Sequence, residues 1–170
     1  MPANEATLIP IANATGDGST GTLAFTSIPN TYTDLVVMGM GSNSSSGSGL
    51  LVRFNNDSTT NRYKNQNLIV QTQSSYFAEY YAQTYFYGGE VNGTPNMTPF
   101  KMDIAGYSDV TYLYPTAFLR GGAGNGTTTY STMMAGTYTS LSVITSIQLI
   151  LSSGNWTAAS SFTLYGILRA

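Results

Sequence analysis

Punctuation dominates this chain: short runs of β-branched, aromatic and aliphatic residues are separated, along its whole length, by clusters of Gly, Asn, Ser, Thr and Pro. The runs are too short for ordinary helices, and the clusters consist of residues that accept positive φ or bond their own backbone. In LLVRFN, Leu50, Val52 and Phe54 fall on one face and Leu51 and Arg53 on the other. FKMDI repeats this with Phe100, Met102 and Ile104 against Lys101 and Asp103. A period of two is strand geometry with one buried face. GTLAFTSI likewise groups Leu23 with Phe25, SIQLIL groups Ile147, Leu149 and Leu151, and FTLYGIL groups Phe162, Leu164 and Leu168. DLVVMGM is apolar on both faces from Leu35 to Met40, which predicts a central strand covered on each side. Roughly ten strands of ordinary length are expected. The pattern is that of an all-β, single-domain sandwich or barrel over residues 1–170, with residues 1–12 either a core strand or an N-terminal arm reaching a neighbour.

Without cysteine, no disulfide can staple such a fold, so burial must hold it. At 170 residues the chain can bury roughly 70% of its unfolded surface, and 42% hydrophobic with 12% aromatic residues supply the apolar area. Charged residues make up 8%, the net charge is −2 and no basic cluster exists, which argues against nucleic acid as a partner. The longest apolar runs, LVVM and LIL, fall far short of the ~20 residues that span a bilayer. MPANEATLIPIANATG has an acidic residue where a secretory leader carries positive charge. A soluble protein with no membrane partner is expected. Asn-x-Ser/Thr triplets recur, as they must in a chain this rich in those residues.

Histidine is absent too, which removes the Ser-His and Cys-His engines and the commonest zinc ligand. No metal and no cofactor is expected. NNDSTTN (55–61) fails as a calcium loop: counted from Asp57, positions six and twelve hold Arg62 and Leu68, and counted from Asn55, Thr60 and Gln66. It reads as a turn between strands whose Asn and Asp side chains cap backbone donors. SNSSSGSG (42–49), NGTPN (92–96) and RGGAGNGT (120–127) read as loops, the last lacking the Lys-Ser/Thr and helix of a phosphate cradle. Asp103 with Asp109, or Glu79 with Glu90, are the acid pairs that a glycosidase would use. Scattered singly on alternating strands, they read instead as solvated or cross-strand groups, and the chain reads as no enzyme.

YFAEYYAQTYFY crowds Tyr76, Phe77, Tyr80, Tyr81, Tyr85, Phe86 and Tyr87 into twelve residues. Phe77, Tyr81 and Tyr85 have helical spacing, but aromatic residues favour strands, and strand is the reading taken. These rings are the candidate subunit interface or core, with a glycan-stacking platform as the alternative and Trp156 as a second platform.

FTSIPNTYTDL (25–35), LLVRFNND (50–57) and SVITSIQLILSSGNWTAASSFTLYGI (142–167) together resemble a pattern in virion structural proteins of tailed bacteriophages, notably those of cyanobacterial and other aquatic hosts. Residues 70–130 have no counterpart in that pattern. The resemblance implies a virion protein folded as a single-domain antiparallel β-sandwich, a jelly roll, that cements the capsid or forms part of a tail or fibre, and it carries over no catalytic residue. Within the pattern, residue chemistry suits Pro29 to fixing a turn, Tyr32 to tying a corner through its hydroxyl and Gly166 to a close-packed bend. The expected function is a capsid decoration or cement protein on the virion exterior, a homotrimer that binds the major capsid protein. A tail-associated or receptor-binding module that holds host glycan is the alternative, and a glycan-cleaving enzyme stands third.

Overall fold

The computed structural model describes residues 8–72, 74–111 and 113–168, apart from the side chains of residues 81 and 82. Twelve strands follow one another among these residues: β1 (Leu8–Thr15), β2 (Thr22–Phe25), β3 (Asp34–Gly41), β4 (Ser48–Phe54), β5 (Tyr63–Gln71), β6 (Ser74–Gln83), β7 (Phe86–Val91), β8 (Thr98–Ala105), β9 (Thr116–Gly124), β10 (Thr129–Tyr138), β11 (Ile147–Leu151) and β12 (Ser161–Ile167). They form an antiparallel sandwich of an eight-stranded sheet, order β1-β12-β3-β8-β9-β10-β5-β6, and a four-stranded sheet, order β2-β11-β4-β7. From β1 to β4, from β7 to β8 and from β11 to β12 the chain changes sheet at each step, whereas the hairpins β5–β6 and β9–β10 stay in the larger sheet and lengthen it. With those hairpins set aside, the strand order is compatible with the expected jelly roll.

The core lies where the period of two places it. Leu50, Val52, Phe54, Phe100, Met102, Ile104, Ile147, Leu149, Phe162 and Leu164 are all buried between the sheets. Three expectations need correction. β3 is central, between β12 and β8, and Leu35, Val36 and Val37 are buried, but Met40 is 47% exposed because nothing described covers the outer face of the larger sheet there. Leu168 lies past the end of β12 and is exposed. The segment 120–127 is strand as far as Gly124, since Gly121 sits opposite Phe100 and leaves space for it: a Cβ there would lie 3.3 Å from Phe100 Cβ. Of the segment read as core strand or arm, residues 8–12 belong to β1 and pair with β12; residues 1–7 lie outside the described residues.

The turn at 55–61 is built by its amides. Asn55, Asn56 and Asn61 adopt φ of 53°, 52° and 70°, in the left-handed region that Asn tolerates better than most residues. Asn55 Oδ1 accepts the Thr145 and Ser146 N–H groups at 2.8 and 3.2 Å, while its Nδ2 donates to the Val143 carbonyl at 2.8 Å. Asp57 Oδ1 accepts the Thr59 N–H at 2.8 Å, and the Tyr138 hydroxyl donates to Asp57 Oδ2 at 2.7 Å. Below the turn, Tyr63 and Tyr138 pack with Phe54 and Phe86, ring centroids 5.0–6.4 Å apart. The Tyr63 hydroxyl accepts the Phe54 N–H at 3.0 Å and donates to the Asp57 carbonyl at 2.9 Å. The turn is thus a lid on an aromatic quartet.

These buried hydroxyls make stability pH-dependent. Burial, and then the Asp57 carboxylate, push Tyr138 from 10.0 up to about 12, and burial raises Tyr63 as well. A folded pKa above the unfolded value stabilises the protein below the unfolded value and ceases to do so as pH rises through the folded one. The melting temperature is therefore expected to fall steeply between pH 10.0 and about 12, in step with tyrosinate absorbance. A level melting temperature across that window would contradict the buried-hydroxyl account. At the acid end, burial works against the Asp57 carboxylate, but the Thr59 and Tyr138 hydrogen bonds and the nearby Arg62 outweigh it and hold its pKa below 3.8. Its contribution is present above pH 3.8 and is lost as pH falls through the depressed value.

Residues 32–35, in the first of the three quoted segments, and 166–167, at the end of the last, meet in space. β3 pairs with β12, Gly166 opposite Leu35, and the Thr33 N–H donates to the Ile167 carbonyl at 2.8 Å. Gly166 makes room for the Tyr32 ring, three of whose carbons would lie 2.3–2.5 Å from a Cβ at that position. The corner itself is tied by another residue than expected. Buried Tyr107, not Tyr32, donates its hydroxyl to the Pro29 carbonyl at 2.7 Å and accepts the Tyr32 N–H at 3.1 Å.

Candidate functional site

The aromatic run at 76–87 is strand, as expected, but it does not make one platform. β6 is an edge strand, so its alternation sends neighbouring rings to opposite sides. Phe77 lies opposite Leu68 on the outer face of the larger sheet and is 80% exposed. Tyr76 and Tyr80 point the other way, toward the side of the smaller sheet, where Tyr80 packs on Tyr87 with centroids 5.2 Å apart. Tyr85 is half-buried in the turn before β7. Phe86 is fully buried in the aromatic quartet, where a Cβ on Gly136 would come within 2.7 Å of its ring, so it leaves the candidate surface. The side chain of Tyr81 lies outside the described residues. Trp156 is also fully buried, its indole N–H donating to the Leu149 carbonyl at 3.1 Å, and it cannot serve as a second platform.

Each acid of the two candidate pairs has a partner other than its pair mate. Lys101 Nζ and Asp103 Oδ1 form an ion pair of 2.6 Å along one strand, while Asp109 Oδ1 accepts the Thr111 N–H in the loop after β8. Glu79 accepts a hydrogen bond from Gln66 on the larger sheet, whereas Glu90 belongs to β7 of the smaller one. Tyr87 donates its hydroxyl to Glu90; burial first, and then that hydrogen bond, raise the Tyr87 pKa well above 10.0.

A surface that alternation alone did not single out covers the outer face of the larger sheet. Strand register aligns Met38, Lys101, Arg120, Met133, Leu68 and Phe77 in one row across β3, β8, β9, β10, β5 and β6. The adjoining row runs Val36, Asp103, Phe118, Ala135, Gln66 and Glu79. Met133 is 45% exposed, Phe118 41% and Val70 44%. Apolar rings and thioethers thus share the face with a few charges, the composition of a recognition surface more than of a solvated one. The signal in the sequence was the failure of alternation: Leu68-Ile69-Val70, Phe118-Leu119 and Met133-Met134 put apolar side chains on both faces of the same strands.

No family model matches the chain, and no curated protein matches it either.

Proposed function

We propose that this chain is a non-enzymatic virion structural protein of a tailed bacteriophage, a capsid decoration protein with a jelly-roll core that acts on the capsid exterior. Its outer sheet face binds the major capsid protein lattice, and three copies assemble at symmetry positions of the shell. The observation that carries this reading is the breadth of that face: six strands contribute exposed or half-exposed apolar side chains interleaved with Lys101, Asp103 and Arg120. Cementing requires buried area spread over several shell subunits and no chemistry, so that internal pressure must break many contacts together. The resemblance of residues 25–35 and 142–167 to virion proteins supports the same assignment.

Phe118→Asp combined with Met133→Asp tests it. The two side chains are 41% and 45% exposed, and an aspartate at 118 would face Asp103, so the fold should survive at reduced stability, read from the melting temperature, whereas binding of the folded variant to shells stripped of the protein should weaken about 30-fold or more, the loss of one interface hot spot. Undiminished binding would remove this face from the shell contact. Quantitative mass spectrometry of purified virions should find copies in proportion to the major capsid protein. A handful per particle would favour the tail-associated, receptor-binding reading, for which Tyr76, Tyr80 and Tyr87 on the opposite side of β6 are the supporting observation.

A further inference from the structure

At the end of the sandwich where the β3–β4, β7–β8 and β9–β10 connections converge lies a cleft of about 540 Å³, within the size range of small-molecule sites. Its walls are tied together from inside the protein. Buried Asn43 accepts the Ser45 N–H on Oδ1 at 3.2 Å and donates from Nδ2 to the Ser153 carbonyl at 3.1 Å. Its backbone receives the Thr94 N–H at 3.1 Å and donates to the Asn92 carbonyl at 2.8 Å. Buried Asn92 in turn donates from Nδ2 to the Gly124 carbonyl at 2.7 Å, which joins the second wall to the third. Gly93 is pressed so close to the β3–β4 loop that a Cβ would lie 2.0 Å from the Ser45 carbonyl oxygen. Each wall is held by backbone and buried amides, so the exposed polar groups stand at set positions before any ligand arrives.

The lining selects the ligand's chemistry. Glu90 is its one charged side chain, and no Lys or Arg takes part, so phosphates and carboxylates are repelled. The Tyr87 hydroxyl donates to Glu90 Oε1, which orients the carboxylate, and Oε2 has no partner among the described residues. Asn125 Oδ1 is saturated by Thr127 and Thr128, which leaves its Nδ2 to donate outward. Asn96 adds a second amide, Ser45 and Ser46 add hydroxyls, and Tyr130 adds a half-buried ring. A pyranose fits this set: its adjacent hydroxyls both donate to a carboxylate and accept from amides, and its C–H face packs on an aromatic ring.

We propose that this cleft binds a neutral oligosaccharide, with Glu90, Asn96 and Asn125 bonding its hydroxyls and Tyr130 packing against a ring. The site is separate from the outer sheet face, and the proposal does not rest on the shell-binding reading: a protein seated on a capsid by one surface presents this end of the sandwich independently. The site also differs from the aromatic run at 76–87, which, among the described residues, reaches the cleft through the Tyr87–Glu90 hydrogen bond.

The test uses the full chain on an array of neutral and anionic bacterial surface oligosaccharides, followed by calorimetry with the strongest neutral ligand. Binding to at least one neutral oligosaccharide is expected. Glu90→Ala and Tyr130→Ala should each weaken it about tenfold or more, the loss of one charge-assisted hydrogen bond or one ring contact. Glu90→Gln, which keeps the shape, serves where the alanine variant loses its circular dichroism spectrum, and should weaken binding in the same direction. Phe118→Asp with Met133→Asp should leave sugar binding intact, while the Glu90 and Tyr130 variants should leave shell binding intact. An array without neutral hits, a preference for phosphorylated or sulfated glycans, or affinity untouched by the Glu90 and Tyr130 changes would overturn the proposal and leave the shell reading standing.

Discussion

Trp156→Ala is expected to cost about 3–5 kcal/mol of folding stability, the range for deletion of a large buried aromatic side chain. Trp156 is the only tryptophan, is fully buried, and packs edge-on against Phe162 with centroids 5.2 Å apart. Gly41 is a glycine because the indole occupies the place of its side chain: a Cβ there would lie 2.5 Å from Trp156 Cζ3. The residue also fixes the chain between β11 and β12. Its N–H donates to the Thr20 carbonyl at 2.9 Å, and its own carbonyl accepts the Gly18 N–H at 3.0 Å. Alanine would keep those backbone bonds but leave a cavity between two sheets that cannot close around it. Trp156→Phe separates the contributions, since it retains much of the ring and removes the hydrogen bond to the Leu149 carbonyl, which keeps its place in the ladder with Leu23, a change of about 1–3 kcal/mol. Denaturant unfolding followed by far-ultraviolet circular dichroism measures both. A loss for the alanine variant below about 1 kcal/mol, the size of an average substitution, would mean that the indole is not the keystone described.

Gly166→Ala should destabilise by about 1–3 kcal/mol although it adds a single methyl group in a strand. The contact is with the root of the Tyr32 ring, Cγ and both Cδ atoms at 2.3–2.5 Å, so a small tilt of the phenol end relieves nothing and the whole ring must leave. Tyr32 packs against the core, and the residues around it, Pro29 and Thr33, are held by Tyr107 and by the Ile167 carbonyl. The double variant supplies the control. Tyr32→Ala alone should destabilise the protein, yet in the Gly166→Ala background it should cost markedly less, with a coupling of about 0.5–3 kcal/mol as for residues in direct contact. Additive effects in that cycle would show that the glycine is needed for its backbone alone.

Much of the fold can be read from residue order because a strand announces its sidedness locally. Phe100, Met102 and Ile104 are buried, while Lys101 and Asp103, between them, pair at the surface. The turn at 55–61 was legible for the same reason: Asn and Asp carry their capping acceptors on short side chains, and Asn55 needs only its neighbours in space to use both ends of its amide. The aromatic run was not legible beyond its strand character. Tyr, Phe and Tyr at 85–87 look alike in sequence, yet Phe86 enters the core whereas Tyr87 ends beside Glu90. Glycines misled at 120–124, where several in a row resemble a loop but one of them receives a facing phenylalanine. Tyr32 misled as well, because two tyrosines can tie one corner and only Tyr107 has its hydroxyl aimed at the Pro29 carbonyl.

By itself the sequence determined that this protein is built of strands, which side of most of them is apolar, and that its chemistry excludes histidine and thiol catalysis. Those properties follow from side-chain type and a period of two, both local. The tertiary structure alone decided that residues 34–37 pair with 164–167, that two hairpins widen one sheet to eight strands, and that three distant loops enclose a cleft. Strand pairing joins residues far apart in the chain, and no local preference encodes which apolar face will be met by a second sheet and which will be left for a partner.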